Sequence, residues 1–231
     1  VDDAVETVIE TIQSGVPVAR IELLDAETIR GFNAYSGYEM EQTPTLFLEF
    51  HGTEAGVAEQ SATVAALAAE HGGRGFAWTT APEERSRLWA ARHNVYYAQR
   101  SLRPGASAWV TDACVPISRL AEAILETGAD IAASPLTAPL VGHVGDGNFH
   151  LSILIDPADP AERAEAERLA ERISERALRL GGTVTGEHGI GMGKRKYMAE
   201  EHGAAWEVMG EIKRALDPAG ILNPGKLVPG N

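Results

Sequence analysis

Hydrophobic residues recur along the chain with two different periods, and each period predicts one kind of element. In the first segment, Val5, Val8 and Ile12 are spaced as on one face of an amphipathic helix. Residues 45–52 instead alternate and are rich in residues that favour strands. The pattern predicts helices over 2–14, from about 25 to 37, 57–71, 82–99, 117–127 and 160–180, and strands over 16–24, 45–52, 76–79, 108–116, 139–143 and 149–156.

The order of these segments predicts the fold class. A strand, helix, strand, strand, helix, strand alternation is typical of a split βαβ, ferredoxin-like sheet. We therefore expect an α+β fold in which a ferredoxin-like antiparallel sheet is covered by helices, with a helical C-terminal segment after the loop 181–193. Since no Ser/Gly linker or clear repeat interrupts the sequence, residues 1–231 are expected to form one domain.

Charge and cysteine content narrow the classes of function. The 231 residues include 33 acidic and 20 basic side chains, which gives a formal net charge of −13. A negative field of this size repels nucleic acid and anionic membrane surfaces, so no nucleic acid partner is expected. The single cysteine, Cys114, excludes an internal disulfide framework and any Cys-rich metal site.

The chain carries no signal for membrane insertion or secretion. No apolar run approaches the ~18 residues that a transmembrane helix needs. The acidic N-terminus also lacks the basic and apolar regions of a secretory signal. Because the sequence begins with Val1 rather than Met, we expect that a segment has been removed or that the chain is a piece of a longer protein.

The strongest chemical signal lies in two glycine-rich segments of the C-terminal half. His143 and His150 flank a tight turn between two predicted strands, so a hairpin would bring both imidazoles to one rim of the sheet. Glu187 and His188 are neighbours in the second segment, which is a predicted loop. Two histidines and one carboxylate can bind a divalent ion while leaving coordination positions open for catalysis. In that arrangement His188 could act as a general base.

The residue pattern by itself leaves other interpretations open. The glycines could simply form turns in a non-catalytic binding module, or the same residues could activate water in a metal-dependent hydrolase. The dinucleotide fingerprint is excluded, because Lys194 occupies the position of its last glycine. Arg92, beside Trp89 in a predicted helix, is either half-buried with an anionic partner or a surface arginine.

Five segments, taken in order, resemble one known family. They look like the C-terminal half of FAD-dependent D-lactate dehydrogenases, which belong to the vanillyl-alcohol-oxidase-type flavoproteins. The same family includes the glycolate oxidase FAD subunit and D-2-hydroxyglutarate dehydrogenase. The resemblance covers nearly the whole chain. The segments are WAARHN (89–94), TDACVPIS (111–118), VGHVGDGNFH (141–150), TGEHGIGMGKR (185–195) and LDPAGILNPGK (216–226).

This resemblance implies the FAD-linked oxidase C-terminal domain, which is the substrate or cap half of a two-lobed flavoenzyme. The N-terminal lobe that binds FAD would be absent from this chain, so the isolated chain is expected to be inactive. The implied reaction is oxidation of a D-2-hydroxy acid, with D-lactate to pyruvate as the first choice and glycolate or D-2-hydroxyglutarate as alternatives. We expect the full-length enzyme in the cytoplasm or peripheral to the inner membrane, as a homodimer, with an unknown electron acceptor.

The resemblance also implies roles for individual residues. In the family, the residues that match His143, His150 and Glu187 hold a divalent metal ion, Zn²⁺ or Mn²⁺. The residue that matches His188 takes the hydroxyl proton, and the one that matches Arg92 binds the substrate carboxylate.

Three further positions bear on cofactor and substrate. Asn223 matches an asparagine that lies near the flavin in the family. Ser107 stands where relatives often carry a lysine, so that substrate contact does not carry over. Ser152 stands where glutarate-type members tend to have asparagine, which argues against a dicarboxylate substrate.

Overall fold

The computed structural model describes residues 1–228. In it, local sequence signals determine where the helices begin and end. Asp25 caps the second helix by accepting a hydrogen bond from the Thr28 N–H at 2.7 Å, and Gly37 ends that helix with a φ of 67°. The helices are α1 Asp2–Gln13, α2 Ala26–Ser36, α3 Glu54–Glu70, α4 Pro82–His93, α5 Val95–Ser101, α6 Leu120–Ala132, α7 Pro160–Arg179, α8 Met198–His202 and α9 Ala204–Leu216.

The strands form an antiparallel sheet, which confirms the predicted fold class. The strands are β1 Val18–Leu24, β2 Thr45–Phe50, β3 Ser107–Val110, β4 Ala113–Cys114, β5 Leu140–His143 and β6 Asn148–Ile155. The sheet order is β2-β1-β5-β6-β3, and β4 also pairs with β6. Helix α6 connects β3 and β4 to β5, while β6 lies between β3 and β5, as in a split βαβ unit. The β5–β6 hairpin is therefore central.

Helices cover both faces of the sheet, because the strands direct apolar side chains into two cores. The larger core contains Ile21 and Leu23 together with apolar side chains of α1, α6 and α7. The smaller core contains Leu24, Trp89 and side chains of α2. Since side chains alternate along a strand, Glu22 lies on the same face as Leu24. Glu22 is only 5% exposed, so its carboxylate needs partners at this position.

Two of the predicted elements before β3 differ from the structure. The strand predicted over 76–79 does not form; these residues are irregular and exposed, and Trp78 is 57% exposed. The helix predicted over 82–99 is two helices that meet at Asn94, whose side chain donates a hydrogen bond to the Ala90 carbonyl at 3.0 Å. A side chain that bonds to the backbone in this way competes with helix continuation.

Two further elements differ from the prediction in their bounds. The strand predicted over 108–116 is interrupted at Thr111 and Asp112, where the Thr111 hydroxyl accepts the Leu151 N–H at 2.9 Å. The helix predicted over 117–127 starts as a short 3₁₀ turn and then runs as α6 to Ala132. The interruption is the more important difference for the site described below, because Asp112 lies between two strands and not within one.

The C-terminal segment is helical, as predicted, and its tail returns to the loop before it. Arg195 donates a hydrogen bond to the Gly225 carbonyl at 2.6 Å, and the Leu227 N–H bonds to the Gly191 carbonyl at 2.9 Å. Residues 229–231 of the predicted domain lie outside the described residues. Within residues 1–228, none of the helices has the length and apolar character needed to cross a bilayer.

Candidate metal and catalytic centre

The β5–β6 hairpin brings two histidines together, as the sequence predicts. His143 pairs with Asn148 in the strand register, and His150 pairs with Val141. The two imidazole rings lie 5.7 Å apart between centroids, at an interplanar angle of 81°. The turn requires Gly147, because its φ is 78° and a Cβ there would lie 2.1 Å from a backbone oxygen.

The glycine-rich loop brings Glu187 and His188 to the same place. Glu187 Oε1 lies 3.1 Å from His150 Nε2, 3.5 Å from His143 Nε2 and 3.6 Å from His188 Nε2. The His188 ring stacks on that of His150, at 4.9 Å and 13°. The side chains of Glu187 and His188 are 48% and 46% exposed, so the cluster opens to the surface.

The partners of the two hairpin histidines define their tautomers. His150 Nδ1 lies 3.1 Å from the Thr111 carbonyl oxygen, which can only accept, so Nδ1 carries the proton. His143 Nδ1 lies 2.9 Å from Glu22 Oε1, and a carboxylate again calls for an N–H at Nδ1. In the neutral rings both Nε2 atoms then present lone pairs, and both face Glu187.

This donor set fits a divalent metal ion. The ligand atoms of His143, His150 and Glu187 all lie within 4.8 Å of one another. His150 Nε2 is buried, and its 3.1 Å contact with Glu187 Oε1 is not a hydrogen bond, so this nitrogen has no hydrogen-bond partner in the described part of the chain. Lone pairs on two imidazoles and a carboxylate repel one another unless a positive charge lies between them. Two histidines and one carboxylate are a common set for Zn²⁺ and also suit Mn²⁺.

Asp112 holds the loop that carries Glu187 and His188. Its carboxylate is 3% exposed and accepts the backbone N–H groups of Glu187 at 3.1 Å and of His188 at 2.9 Å. It also accepts from Asn148 Nδ2 at 2.9 Å and from Lys194 Nζ at 3.2 Å. Burial raises the pKa of Asp112, but these hydrogen bonds and the Lys194 charge outweigh it and lower the pKa to about 2.

Gly186 allows this loop to approach Asp112 so closely. A Cβ at this position would lie 1.9 Å from Asn148 Nδ2 and 2.9 Å from Asp112 Oδ1. The sequence leaves the orientation of Asp112 undecided, since it lies in a predicted continuous strand. A charged residue at a buried strand position was the signal that could have identified it.

Arg92 is buried and has the anionic partner that one of the two sequence interpretations requires. It is 8% exposed, and its Nη2 lies 2.7 Å from Glu22 Oε2. Burial raises the pKa of Glu22, but the His143 hydrogen bond and the Arg92 charge outweigh it, so the pKa is lowered. The hydrogen bond with Glu22 in turn raises the pKa of His143. Glu22 did not emerge from the sequence, although a carboxylate inside the apolar strand β1 was a usable signal.

The remaining predicted positions make their observed contacts with residues outside the cluster. Asn223 is exposed and has a φ of 49°, and its Oδ1 accepts a hydrogen bond from Lys226 Nζ at 3.1 Å. Ser107 pairs with Ile155, five residues along β6 from His150, which corresponds to roughly 17 Å of strand. Ser152 is 2% exposed and donates to Gln99 Oε1 at 2.6 Å, so it belongs to a buried polar contact.

Comparisons with known proteins place the chain in a family. The family model described as "FAD linked oxidases, C-terminal domain" matches residues 1–227. "Probable D-lactate dehydrogenase, mitochondrial" of Danio rerio is 48% identical over 229 residues, which are 99% of this chain and 46% of that protein. "D-lactate dehydrogenase [cytochrome], mitochondrial" of Arabidopsis thaliana is 44% identical over 99% of this chain and 41% of its own length.

More distant matches agree with this assignment. "Glycolate oxidase subunit GlcD" of Escherichia coli is 32% identical over 95% of this chain and 44% of its own length. The chain thus spans less than half the length of each of these curated relatives. A 4-ethylphenol oxidase of Gulosibacter chungangensis, solved with isoeugenol, shares the fold with a TM-score of 0.72 at 17% identity, over 99% of this chain and 52% of that one. The chain belongs to the FAD linked oxidases, C-terminal domain, family.

Proposed function

We propose that this chain is the substrate-binding and catalytic half of an FAD-dependent dehydrogenase that oxidises a D-2-hydroxy acid, D-lactate first. The observation that carries the proposal is the convergence of three imidazole Nε2 atoms on Glu187 Oε1, at 3.1 to 3.6 Å. The relatives named for D-lactate are 48% and 44% identical, against 32% for the one named for glycolate. This difference favours D-lactate, and glycolate or D-2-hydroxyglutarate remain the alternatives.

Arg92 is the proposed binding group for the substrate carboxylate. Its Nη2 is engaged by Glu22, but its buried Nε has no hydrogen-bond partner within residues 1–228. A buried donor without a partner is costly, and a carboxylate would satisfy it with a charge-assisted hydrogen bond. Arg92, together with a metal ion bound at the cluster, would thereby attract an anion to a chain whose net charge is −13.

His188 is the proposed acceptor of the hydroxyl proton. Its ring stacks on that of His150, and its backbone N–H is fixed by Asp112. Its Nε2 lies 3.6 Å from Glu187 Oε1, so a hydroxyl group beside that carboxylate would be near the nitrogen that accepts the proton.

Two cofactors would complete this centre. When bound, a divalent ion at His143, His150 and Glu187 would supply positive charge beside the hydroxyl oxygen, and FAD would accept the hydride. The chain's own contribution is to hold these three ligands, to orient the carboxylate through Arg92 and to remove the proton through His188. Asn223 is proposed to lie near the flavin in the complete enzyme.

Replacing His188 tests the proposal in the natural polypeptide that carries this sequence. His188→Ala should slow reduction of the bound flavin by D-lactate by about 10²–10⁴-fold, because the proton acceptor is lost. The metal content should stay unchanged, since His188 is outside the proposed ligand set. His93→Ala, an exposed histidine on α4, is the matched control. Stopped-flow absorbance measures the rate, and flavin reduction at the wild-type rate in H188A would overturn the assignment.

The rival functions predict different results in the same polypeptide. A metal-dependent hydrolase would bind the ion and turn over an ester or amide without any flavin. A binding module would bind neither a metal ion nor a flavin. We further propose that the complete enzyme is a homodimer and passes electrons to an acceptor that is not identified. Its proposed location is cytoplasmic or peripheral to the inner membrane. Both relatives named for D-lactate above are described as mitochondrial.

A further inference from the structure

We propose that Glu22 is a positioning residue that orients the metal ligand His143 and the anion-binding Arg92 at the same time. Through this shared carboxylate, the metal site and the substrate-carboxylate site are one connected unit. The contacts are observed directly, while the identity of the metal and of the anion rests on the proposed function.

The contacts of Glu22 are short and buried. His143 Nδ1 lies 2.9 Å from Oε1 and 2.8 Å from Oε2, and Arg92 Nη2 lies 2.7 Å from Oε2. The side chain of Glu22 is 7% exposed and that of Arg92 is 10% exposed. Glu22 is central in β1, opposite Phe47 of β2, so its backbone is fixed by the sheet.

A carboxylate behind a histidine ligand has a known physical effect. It holds the proton on Nδ1, fixes the ring orientation and increases the basicity of Nε2, which is the atom that would bind the metal ion. Glu22 stands in this relation to His143, while the Thr111 carbonyl does the same for His150. Loss of such a partner costs about 10–100-fold in metal affinity.

Glu22 has an equally definite effect on Arg92. A buried guanidinium requires a paired charge, and the planar geometry of Arg makes its orientation depend on that partner. With Nη2 held by Glu22, the buried Nε is left as a free donor in a fixed direction. Movement of Glu22 would therefore displace both the metal ligand and the anion-binding donor.

The variant Glu22→Gln, in which an amide of nearly the same size replaces the carboxylate, distinguishes a positioning role of Glu22 from a role in packing alone. Because His143 Nδ1 lies within 2.9 Å of both oxygens of Glu22, the NH₂ group introduced by Glu22→Gln faces the His143 N–H at either position, and the negative charge is lost. Volume and burial are preserved. A purely structural role would lower stability and leave metal affinity and the His143 tautomer unchanged.

The test is a Zn²⁺ and Mn²⁺ titration of the purified natural polypeptide that carries this sequence, in competition with a chromophoric chelator. Glu22→Gln should weaken binding by about 10–100-fold while the circular dichroism spectrum stays the same. Glu49→Gln is the matched control, because Glu49 lies on the adjacent strand, is 11% exposed and pairs with Arg20 and His51 rather than with the cluster. E49Q should bind like the wild type.

A second readout does not depend on the metal ion. In ¹⁵N NMR spectra of the imidazoles, His143 should be the Nδ1–H tautomer in the wild type and E49Q and should lose this preference in E22Q. If E22Q does not fold, Glu22→Asp keeps the charge but shortens the side chain, and it should bind the metal ion more weakly than the wild type and E49Q; equal affinity would overturn the role of Glu22.

The outcomes are distinguishable. Equal metal affinity and an equal His143 tautomer in E22Q and wild type would overturn the role of Glu22 and leave the proposed function intact. A wild-type chain that binds neither ion would overturn the proposed metal site, and with it the connection to Arg92.

Discussion

The two halves of the candidate site are built in opposite ways. His143 and His150 stand on the central hairpin, and a partner fixes each ring through Nδ1. Glu187 and His188 stand on an irregular loop, with side chains about half exposed, and Asp112 holds them through their backbone N–H groups. The hairpin therefore supplies metal-binding side chains whose orientation is fixed before an ion binds. The loop supplies residues whose backbone is fixed but whose side chains keep more freedom.

The largest expected effect is the loss of metal affinity when a histidine of the β5–β6 hairpin is replaced. His150→Ala removes a buried donor that is already oriented, so Zn²⁺ affinity should fall by more than the ~100-fold upper limit for loss of an outer partner. Glu187→Gln retains an oxygen ligand in a half-exposed side chain and should lose less. The measurement is the same chelator competition, with His93→Ala as the exposed control. A loss in E187Q as large as that in H150A would remove the distinction between the two halves.

The next largest effect is expected at Gly186, where the loop that carries Glu187 and His188 packs closely against Asn148 and Asp112. Gly186→Ala would place a Cβ 1.9 Å from Asn148 Nδ2, so the loop or Asn148 must move. We expect the free energy of unfolding to fall by an amount near the upper end of the ~1–3 kcal/mol that overpacking costs. Gly193→Ala is the matched control, since a Cβ there has open space and its φ is not positive. Urea unfolding checks both variants, and similar values for them would show that the loop adapts freely.

The smallest effect is a change in acid stability through Asp112. Its pKa of about 2 in the folded chain lies below the ordinary 3.8. A carboxylate with a lowered pKa stabilises the fold above its ordinary pKa, here by about 2 kcal/mol, and this contribution is lost as the pH falls toward the folded pKa. Asp112→Asn should therefore lower stability at pH 7 and flatten its dependence between about pH 4 and pH 2.

Urea midpoints measured across that pH range test the Asp112 prediction. Asp146→Asn, on the exposed turn of the hairpin, is the control for removing one carboxylate. An acid limb in D112N as steep as in the wild type would mean that other carboxylates cause the acid sensitivity.

The local parts of the fold could be predicted from sequence, because their signals are local. The strand–turn–strand around Gly147 and the helix α7 after Asp159 were correctly anticipated. Two of the failures depend on tertiary context, which a local pattern does not contain. The alternating residues 76–79 find no strand to pair with, and the Thr111 hydroxyl replaces a backbone ladder partner.

By itself, the sequence determined which residue types could perform the chemistry: His143, His150, Glu187 and His188 in two glycine-rich segments. Only the tertiary structure decided what holds them. Glu22 is 121 residues from His143 in sequence, and Asp112 is 76 residues from His188. Contacts between residues so far apart produce no periodic pattern in the sequence, because they depend on strand register and on the close approach at Gly186. The net charge of −13 likewise describes the whole chain, whereas the charges at the site are paired group by group, Arg92 with Glu22 and Lys194 with Asp112.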